Sequence, residues 1–202
     1  MRAVIQRVSH ASVTIDGALK SEIKQGFLIL LGICNEDSME DVDWLVKKVA
    51  NLRVFGDEND VMNLSIQDVG GNALVVSQFT LYASYKKGNR PSWFKAGSHE
   101  HSIPLYEAFC AQLSEAIGKT VATGEFGADM KVELLNDGPV TICMDTKNKE
   151  TVDETQKDIE FYKTEAEYWK TYAKKLEAIR FPESKKKQQS KQSKNCTKKD
   201  TQ

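Results

Sequence analysis

The sequence predicts an α+β fold: mixed and antiparallel sheets with two main helices in one compact domain, then a C-terminal helix and a disordered basic tail. Strand patterns of two kinds occur, alternating in AVIQRVSHASVTID and continuously apolar in GFLILLGI and ALVV. Two stretches, near 38–52 and 105–117, carry helical periodicity. Strands and helices do not alternate strictly, as a doubly wound α/β chain would require.

In the first strand Val4, Gln6 and Val8 face one way and Ile5 and Arg7 the other. Residues 26–33 read as a central strand covered on both faces. Asp37 or Ser38 can cap a helix running to about Leu52, with Val42, Leu45, Val46, Val49 and Leu52 on one stripe. FGDENDVMNLS is turn-rich. After Gly70 and Gly71, ALVVSQFTLYA reads as another buried strand. Residues 84–101 read as a loop, because lysines, Gly88, Pro91 and Gly97 interrupt any period. A second amphipathic helix is expected over 105–117. Residues 131–135 and 140–145 are expected to form a closing hairpin around Asn136, Asp137, Gly138 and Pro139. Pro139 is odd in a plain hairpin, since it removes a backbone donor where the second strand should begin pairing.

Beyond residue 150, Ile159, Tyr162, Ala166, Trp169, Ala173 and Leu176 recur at spacings of three and four. That predicts an amphipathic helix over 152–181, packing on its own domain or binding another chain or RNA. After Pro182 the chain is Lys, Gln and Ser, too polar to fold alone. The expected organisation is a main domain over 1–150, a helical extension over 151–181 and a Lys-rich tail over 182–202. Charge follows these divisions. Residues 1–150 hold 15 basic and 20 acidic side chains, 151–181 hold 6 and 7, and 182–202 hold 7 and 2, giving −5, −1 and +5 within the overall −1. The tail's lysines are a candidate polyanion contact.

Several chemistries find no support. Cys34, Cys110, Cys143 and Cys196 form no Cys-x-x-Cys pair, and three of them lie in apolar surroundings, as small buried hydrophobes do. His99 and His101 lack the companions of a metal site, so no metal and no cofactor are called for. His10 lies in a strand and reads as structural. IGKT at 117–120 lacks the first glycine of a phosphate loop, and no nucleophile elbow occurs. MRAVIQRV has no signal-peptide pattern and no stretch reaches the ~18 apolar residues of a membrane span, so the expected location is cytoplasmic. A polar cluster remains. Ser77, Gln78 and Thr80 sit at the end of a buried strand, where they must either satisfy the local backbone or serve a function.

SQFTL together with NDGPVT resembles the D-aminoacyl-tRNA deacylase family. The resemblance starts at MRAVIQRVSHASVTIDG and continues through LLGI, NLRVF, Met62-Asn63-Leu64, VVSQFTL, NRPSW, GEFGADM and NDGPVT, covering about residues 1–145. It implies a cytosolic homodimer that hydrolyses the ester joining a D-amino acid, or glycine mischarged on tRNA-Ala, to the 3′-terminal adenosine of tRNA. It implies a cis peptide between Gly138 and Pro139, projecting from one subunit into the other's active site, where these two residues and Asn136 bind substrate and Arg7 braces the loop. Main-chain carbonyls there would face the amino acid and exclude an L side chain by clash. Ser77, Gln78, Phe79, Thr80 and Thr141 take the catalytic positions. The backbone N–H groups of Phe79 and Thr80 suit an oxyanion, and the tRNA's own ribose hydroxyl assists attack. Thr80 or Thr141 as a covalent nucleophile ranks lower, since neither has an evident base beside it. Phe126 and Met130 are candidates for the adenine pocket, with core packing as their alternative. The rival functions are a non-catalytic RNA-binding protein using the basic tail, and a hydrolase acting on L-aminoacyl-tRNA.

Overall fold

In the computed structural model, which describes residues 1–149 and residues 164, 165, 167, 168, 170–172 and 174, the long first strand organises the sheet. β1 (Arg2–Ile15) and β2 (Ala18–Ile23) pair antiparallel over residues 11–15 of β1, and β3 (Gly26–Gly32) pairs antiparallel with residues 2–8 of the same edge. The opposite edge of β1 is taken along nearly its whole length by β8 (Lys131–Asp145), also antiparallel. β3 then pairs parallel with β6 (Asn72–Ser77), and β6 with β7 (Ala122–Thr123), so the order is β2-β1-β3-β6-β7 with β8 beside β1. A parallel pair needs a crossover. Each has one: α1 (Met39–Ala50) lies between β3 and β6 in the chain, and α2 (His99–Ile117) between β6 and β7. A two-stranded ribbon, β4 (Phe55–Gly56) with β5 (Met62–Leu64), stands apart. The architecture is α+β with a mixed sheet.

The continuous apolar run of β3 is buried on both faces, as a central strand requires. Phe27, Ile29 and Leu31 join Ala3, Ile5, Ala73 and Val75 against the helices. Leu28 joins Leu74, Val76, Val8, Ala11 and Val13 on the other face. The expected stripe of α1 is buried at Val42, Leu45, Val46 and Val49. Ser38 caps that helix in a capping box, its N–H donating to Asp41 Oδ2 (2.9 Å). The α-amino group of Met1 pairs with buried Asp37 (2.5 Å), while Lys147 Nζ reaches Asp41 at 2.8 Å, tying the end of the last strand to the start of α1.

Four expectations are corrected. Residues 131–135 and 140–145 are not the two arms of a hairpin. They belong to one strand, β8, paired with β1 throughout; Gln6 lies opposite Thr141 and Val8 opposite Asn136, so the residues between 136 and 141 bulge out of the ladder. The turn residues build an outward loop within a strand, because β1 is long enough to hold both flanks in one line. The apolar stretch after Gly71 stays a strand only to Ser77, then tightens into a 3-10 turn, Phe79–Tyr82. The second helix starts at His99, six residues before its apolar period becomes visible; Ser98 caps it, and Pro104, exposed in the second turn, forfeits the one helical bond its missing N–H would have made. Cys143 is exposed, unlike buried Cys34, because β8 is an edge strand with an outward face.

Contacts divide the chain into residues 1–149 and 150–202. In the second unit the described residues between 164 and 174 are helical and exposed, and the Tyr168 and Tyr172 rings stack at 6.3 Å. The remainder of the helix expected over 152–181, its stripe residues and the basic tail lie outside the described residues.

Candidate active site

β6 ends at the mouth of a cleft of about 530 Å³. Ser77, Gln78 and Phe79 form one wall. Phe126 and Met130, from the segment joining β7 to β8, form another, and Trp93, Gly97 and His99 a third. The local sequence explains the close approach of these walls. A Cβ on Gly97 would stand 2.6 Å from Ser102 Oγ, and one on Gly124 would stand 2.5 Å from Met130 Sδ. Phe126 lies edge-on between His99 (5.6 Å) and Tyr106 (5.8 Å), whose hydroxyl donates to the Val75 carbonyl at 2.8 Å. The Phe126 ring thus leans on the core with one side and lines the cleft with the other.

The strand end is held from behind. Gln78 N–H donates to the Leu31 carbonyl (2.8 Å), and its side-chain amide donates to Thr80 Oγ1. The next two N–H groups, of Phe79 and Thr80, open the 3-10 turn, where the first donors have no partner within the turn. Among the described residues neither donates to a backbone carbonyl. The Phe79 ring is exposed and meets Trp93 edge-on at 5.2 Å. Beneath, burial and the Cys34 thiol push the Tyr82 hydroxyl up, and burial pushes the Cys34 thiol up, so both stay neutral.

A second cluster lies on the β1–β8 ladder. The Gly138–Pro139 peptide is cis, and Gly138 has φ 132°, a region that side-chain-bearing residues avoid. Pro139 offers no N–H, and the next one, of Val140, donates to Asn136 Oδ1 (3.0 Å), so the Asn136 amide clips the loop shut in place of a ladder bond. Arg7 lies under the loop. Its Nε donates to the Asp137 carbonyl (3.0 Å), its Nη1 to the Val54 carbonyl, and Nε stands 3.5 Å from the Asp137 carboxylate. Thr141 Oγ1 accepts from Asn136 Nδ2 (3.2 Å) and Gln6 Nε2 (3.4 Å). Among the described residues, no carboxylate or imidazole is bonded to the Thr80 or Thr141 hydroxyl.

Within one chain the expected site residues thus fall into two groups. Ser77, Gln78, Phe79, Phe126 and Met130 share the cleft, with Thr80 one residue beyond its wall. Arg7, Asn136, Gly138, Pro139 and Thr141 form the loop and line none of it. Trp93, Gly97 and His99 belong to the cleft although the residue pattern marks them only as loop. The Ser98 cap, three residues before His101, is the signal that could have moved the helix start to include His99. Among the described residues no cluster of His, Cys, Asp and Glu could hold a metal ion, and no helix is long and apolar enough to cross a membrane.

Residues 4–145 match the family model described as D-Tyr-tRNA(Tyr) deacylase. The D-aminoacyl-tRNA deacylases of Phocaeicola vulgatus and Bacteroides fragilis (strain YCH46) are 70% and 71% identical over 150 residues, covering 74% of this chain and 100% of each relative. Among solved structures, one titled c-Myc DNA Unwinding Element Binding Protein is similar at 41% identity and a TM-score of 0.68, over 72% of this chain and 98% of that one. A probable eukaryotic D-amino acid tRNA deacylase shares the fold at 15% identity and a TM-score of 0.60, over 71% of this chain and 97% of that one.

Proposed function

The chain belongs to the D-Tyr-tRNA(Tyr) deacylase family, and from that premise we propose that it is an ester hydrolase that releases D-amino acids from D-aminoacyl-tRNA as a homodimer. The observation that supports this reading best is the division of the site. A cleft with two uncommitted N–H groups and a rigid exposed loop occur on one chain, and neither is complete alone. A second copy would bring the Gly138–Pro139 loop of one subunit to the cleft of the other. β8, a long strand whose outer edge is unpaired among the described residues, offers an edge along which two copies could meet.

In that dimer the terminal adenine rests against Phe126 and Met130, and the ester carbonyl lies over the end of β6. Water attacks the carbonyl carbon, and the electron pair of the C=O bond moves onto oxygen, where the N–H groups of Phe79 and Thr80 receive it. Each such donor is worth ~3–4 kcal/mol in other hydrolases. Collapse of the intermediate re-forms the C=O bond and breaks the bond to the ribose oxygen, which takes up the proton given up by the attacking water. The neighbouring ribose hydroxyl of the tRNA assists attack, so no protein base is required. An aminoacyl ester is already reactive, and positioning with charge stabilisation suffices. Ser77 and Gln78 hold the strand terminus; Asn136 and Arg7 hold the loop. Carbonyls of Gly138 and Pro139 wall off one side of the α-carbon. An L side chain would clash there, whereas a D side chain or the hydrogen of glycine passes, which extends the activity to glycine mischarged on tRNA-Ala. Charged tRNA as substrate supports the cytoplasm as the place of work.

The test is a comparison of D-Tyr-tRNA, L-Tyr-tRNA and Gly-tRNA-Ala hydrolysis, with the oligomeric state measured by sedimentation. Rapid release from the D and glycyl esters by a dimer is expected. Equal cleavage of L-Tyr-tRNA, or activity in a monomer, would refute rejection by a partner's loop. No hydrolysis at micromolar enzyme would favour a non-catalytic RNA-binding role.

A further inference from the structure

Between Asp68 and Glu100 the sequence contains no acidic residue, although residues 1–150 as a whole carry 20 acidic and 15 basic side chains. Four of those cations, Lys86, Lys87, Arg90 and Lys95, fall within one short loop of that acid-free stretch. Every residue from 85 to 95 is exposed. The loop is nonetheless built. Ser84 and Ser92 exchange backbone hydrogen bonds of 2.8 and 2.9 Å, closing residues 85–91 into a lobe. Its far end is fixed by Ala96 N–H on the Trp93 carbonyl (2.9 Å) and Gly97 N–H on the Ile33 carbonyl (2.8 Å).

The same loop presents aromatic rings to solvent. Tyr85 (78% exposed) and Phe94 (73%) are the two most exposed large apolar side chains among the described residues. Neither contributes to either core cluster. No carboxylate among the described residues pairs with any of the four cations. Unpaired cations interleaved with uncovered rings form the combination that single-stranded nucleic acid uses: phosphates meet the cations, and bases stack on the rings.

Position decides where such a strand would lead. Trp93, Ala96 and Gly97 are at once the end of this loop and a wall of the cleft. On the far side Phe94 and Lys95 border a hollow where Arg2 is paired with Asp145 (2.9 Å) and Lys147 with Asp41 (2.8 Å), so its other cations are already neutralised. A polyanion is therefore favoured over the lobe and beside the cleft, where the cations have no such partners among the described residues. Resting on the deacylase reading above, we propose that the 85–95 loop receives the unpaired nucleotides adjoining the terminal adenosine of aminoacyl-tRNA. Lys86, Lys87 and Arg90 take phosphates, and Tyr85 and Phe94 stack on bases.

The experiment compares the wild-type chain with Lys86→Ala/Lys87→Ala/Arg90→Ala and with Tyr85→Ala on two substrates carrying the same ester, D-tyrosyl-tRNA and D-tyrosyl-adenosine. The adenosine ester lacks the phosphates and bases that the loop is assigned, so both variants should hydrolyse it as the wild type does, which also shows that they fold. On D-tyrosyl-tRNA the triple variant should lose about two from the slope of log(kcat/KM) against log salt, so that raising salt from about 50 to 200 mM costs the wild type roughly 20-fold more than the variant. Tyr85→Ala should raise KM for the tRNA about tenfold with little change in salt slope. An unchanged salt slope and KM on the tRNA would overturn the proposal, as would equal losses on both substrates. A wild-type protein inert toward both esters would instead overturn the deacylase reading, and this proposal with it.

Discussion

Arg7→Ala removes the side chain that ties the Asp137 end of the Gly138–Pro139 loop to the body of the protein. The Arg7 side chain is 14% exposed and its guanidinium donates to two main-chain carbonyls, those of Asp137 and Val54, on separate segments. Hydrogen bonds from a charged donor contribute about 1.5–3 kcal/mol each. The Asp137 side is half open to water, so the lower figure applies, and the two bonds together should be worth about 3 kcal/mol. For a chain of this size that is a fall in Tm of roughly 6–12 °C. Arg7→Lys should recover only part of it, because an ammonium lacks the planar fork that spans both carbonyls. With the loop untied, its carbonyls no longer hold one position, so hydrolysis of L-Tyr-tRNA should rise relative to D-Tyr-tRNA. Calorimetry and a paired deacylation assay measure both. A Tm within about 2 °C of wild type together with unchanged chiral preference would refute Arg7 as the brace.

Gly138→Ala places a Cβ 2.7 Å from Val140 Cγ2, 2.9 Å from Val140 N and 3.0 Å from Arg7 Nη2, at φ 132°. It should cost about 2 kcal/mol and erode D/L discrimination in the same paired assay, and an unaltered preference would count against the loop as the selecting wall. Thr80→Ala and Thr141→Ala each remove a hydroxyl bonded, among the described residues, only to side-chain amides, so turnover should stay within about tenfold of wild type; abolished turnover with tRNA binding intact would rank a covalent threonine above the tRNA-assisted route. Burial acts to raise the Asp41 carboxyl, but the Lys147 ammonium, the Thr146 hydroxyl and the Ser38 N–H outweigh it and hold the group below the usual carboxylate range. A depressed carboxyl contributes stability above its unfolded value of about 3.9 that is lost as pH falls toward the folded one. Tm should therefore drop below about pH 4, and Lys147→Met should lower it at neutral pH while flattening that acid limb, so the curves converge; parallel curves would refute the pairing.

Much of the fold is legible in periodicity. The apolar run at 26–33 can satisfy its burial only as a central strand, and the stripe from Val42 to Val49 only as a helix on that sheet. What misleads is local chemistry with two solutions. Asn136, Asp137, Gly138 and Pro139 have the composition of a hairpin turn, and nothing within ten residues says that β1 runs far enough to pair with both flanks. Leu105 begins the visible apolar period of α2, but the Ser98 cap and a solvent-facing first turn place the true start at His99, which carries His99 to the cleft.

By itself the sequence determined the element types, the buried stripes and the polar cluster at the end of β6, because periods of 2 and 3.6 residues translate directly into faces. The tertiary structure alone decided the arrangement of the site. It separated the cleft of Ser77, Gln78 and Phe79 from the loop of Gly138 and Pro139, and brought Arg7 beneath that loop from 130 residues away. Contacts so distant along the chain depend on which strand edges remain free once the sheet has closed. That is a property of the whole fold, and no short window of residues contains it.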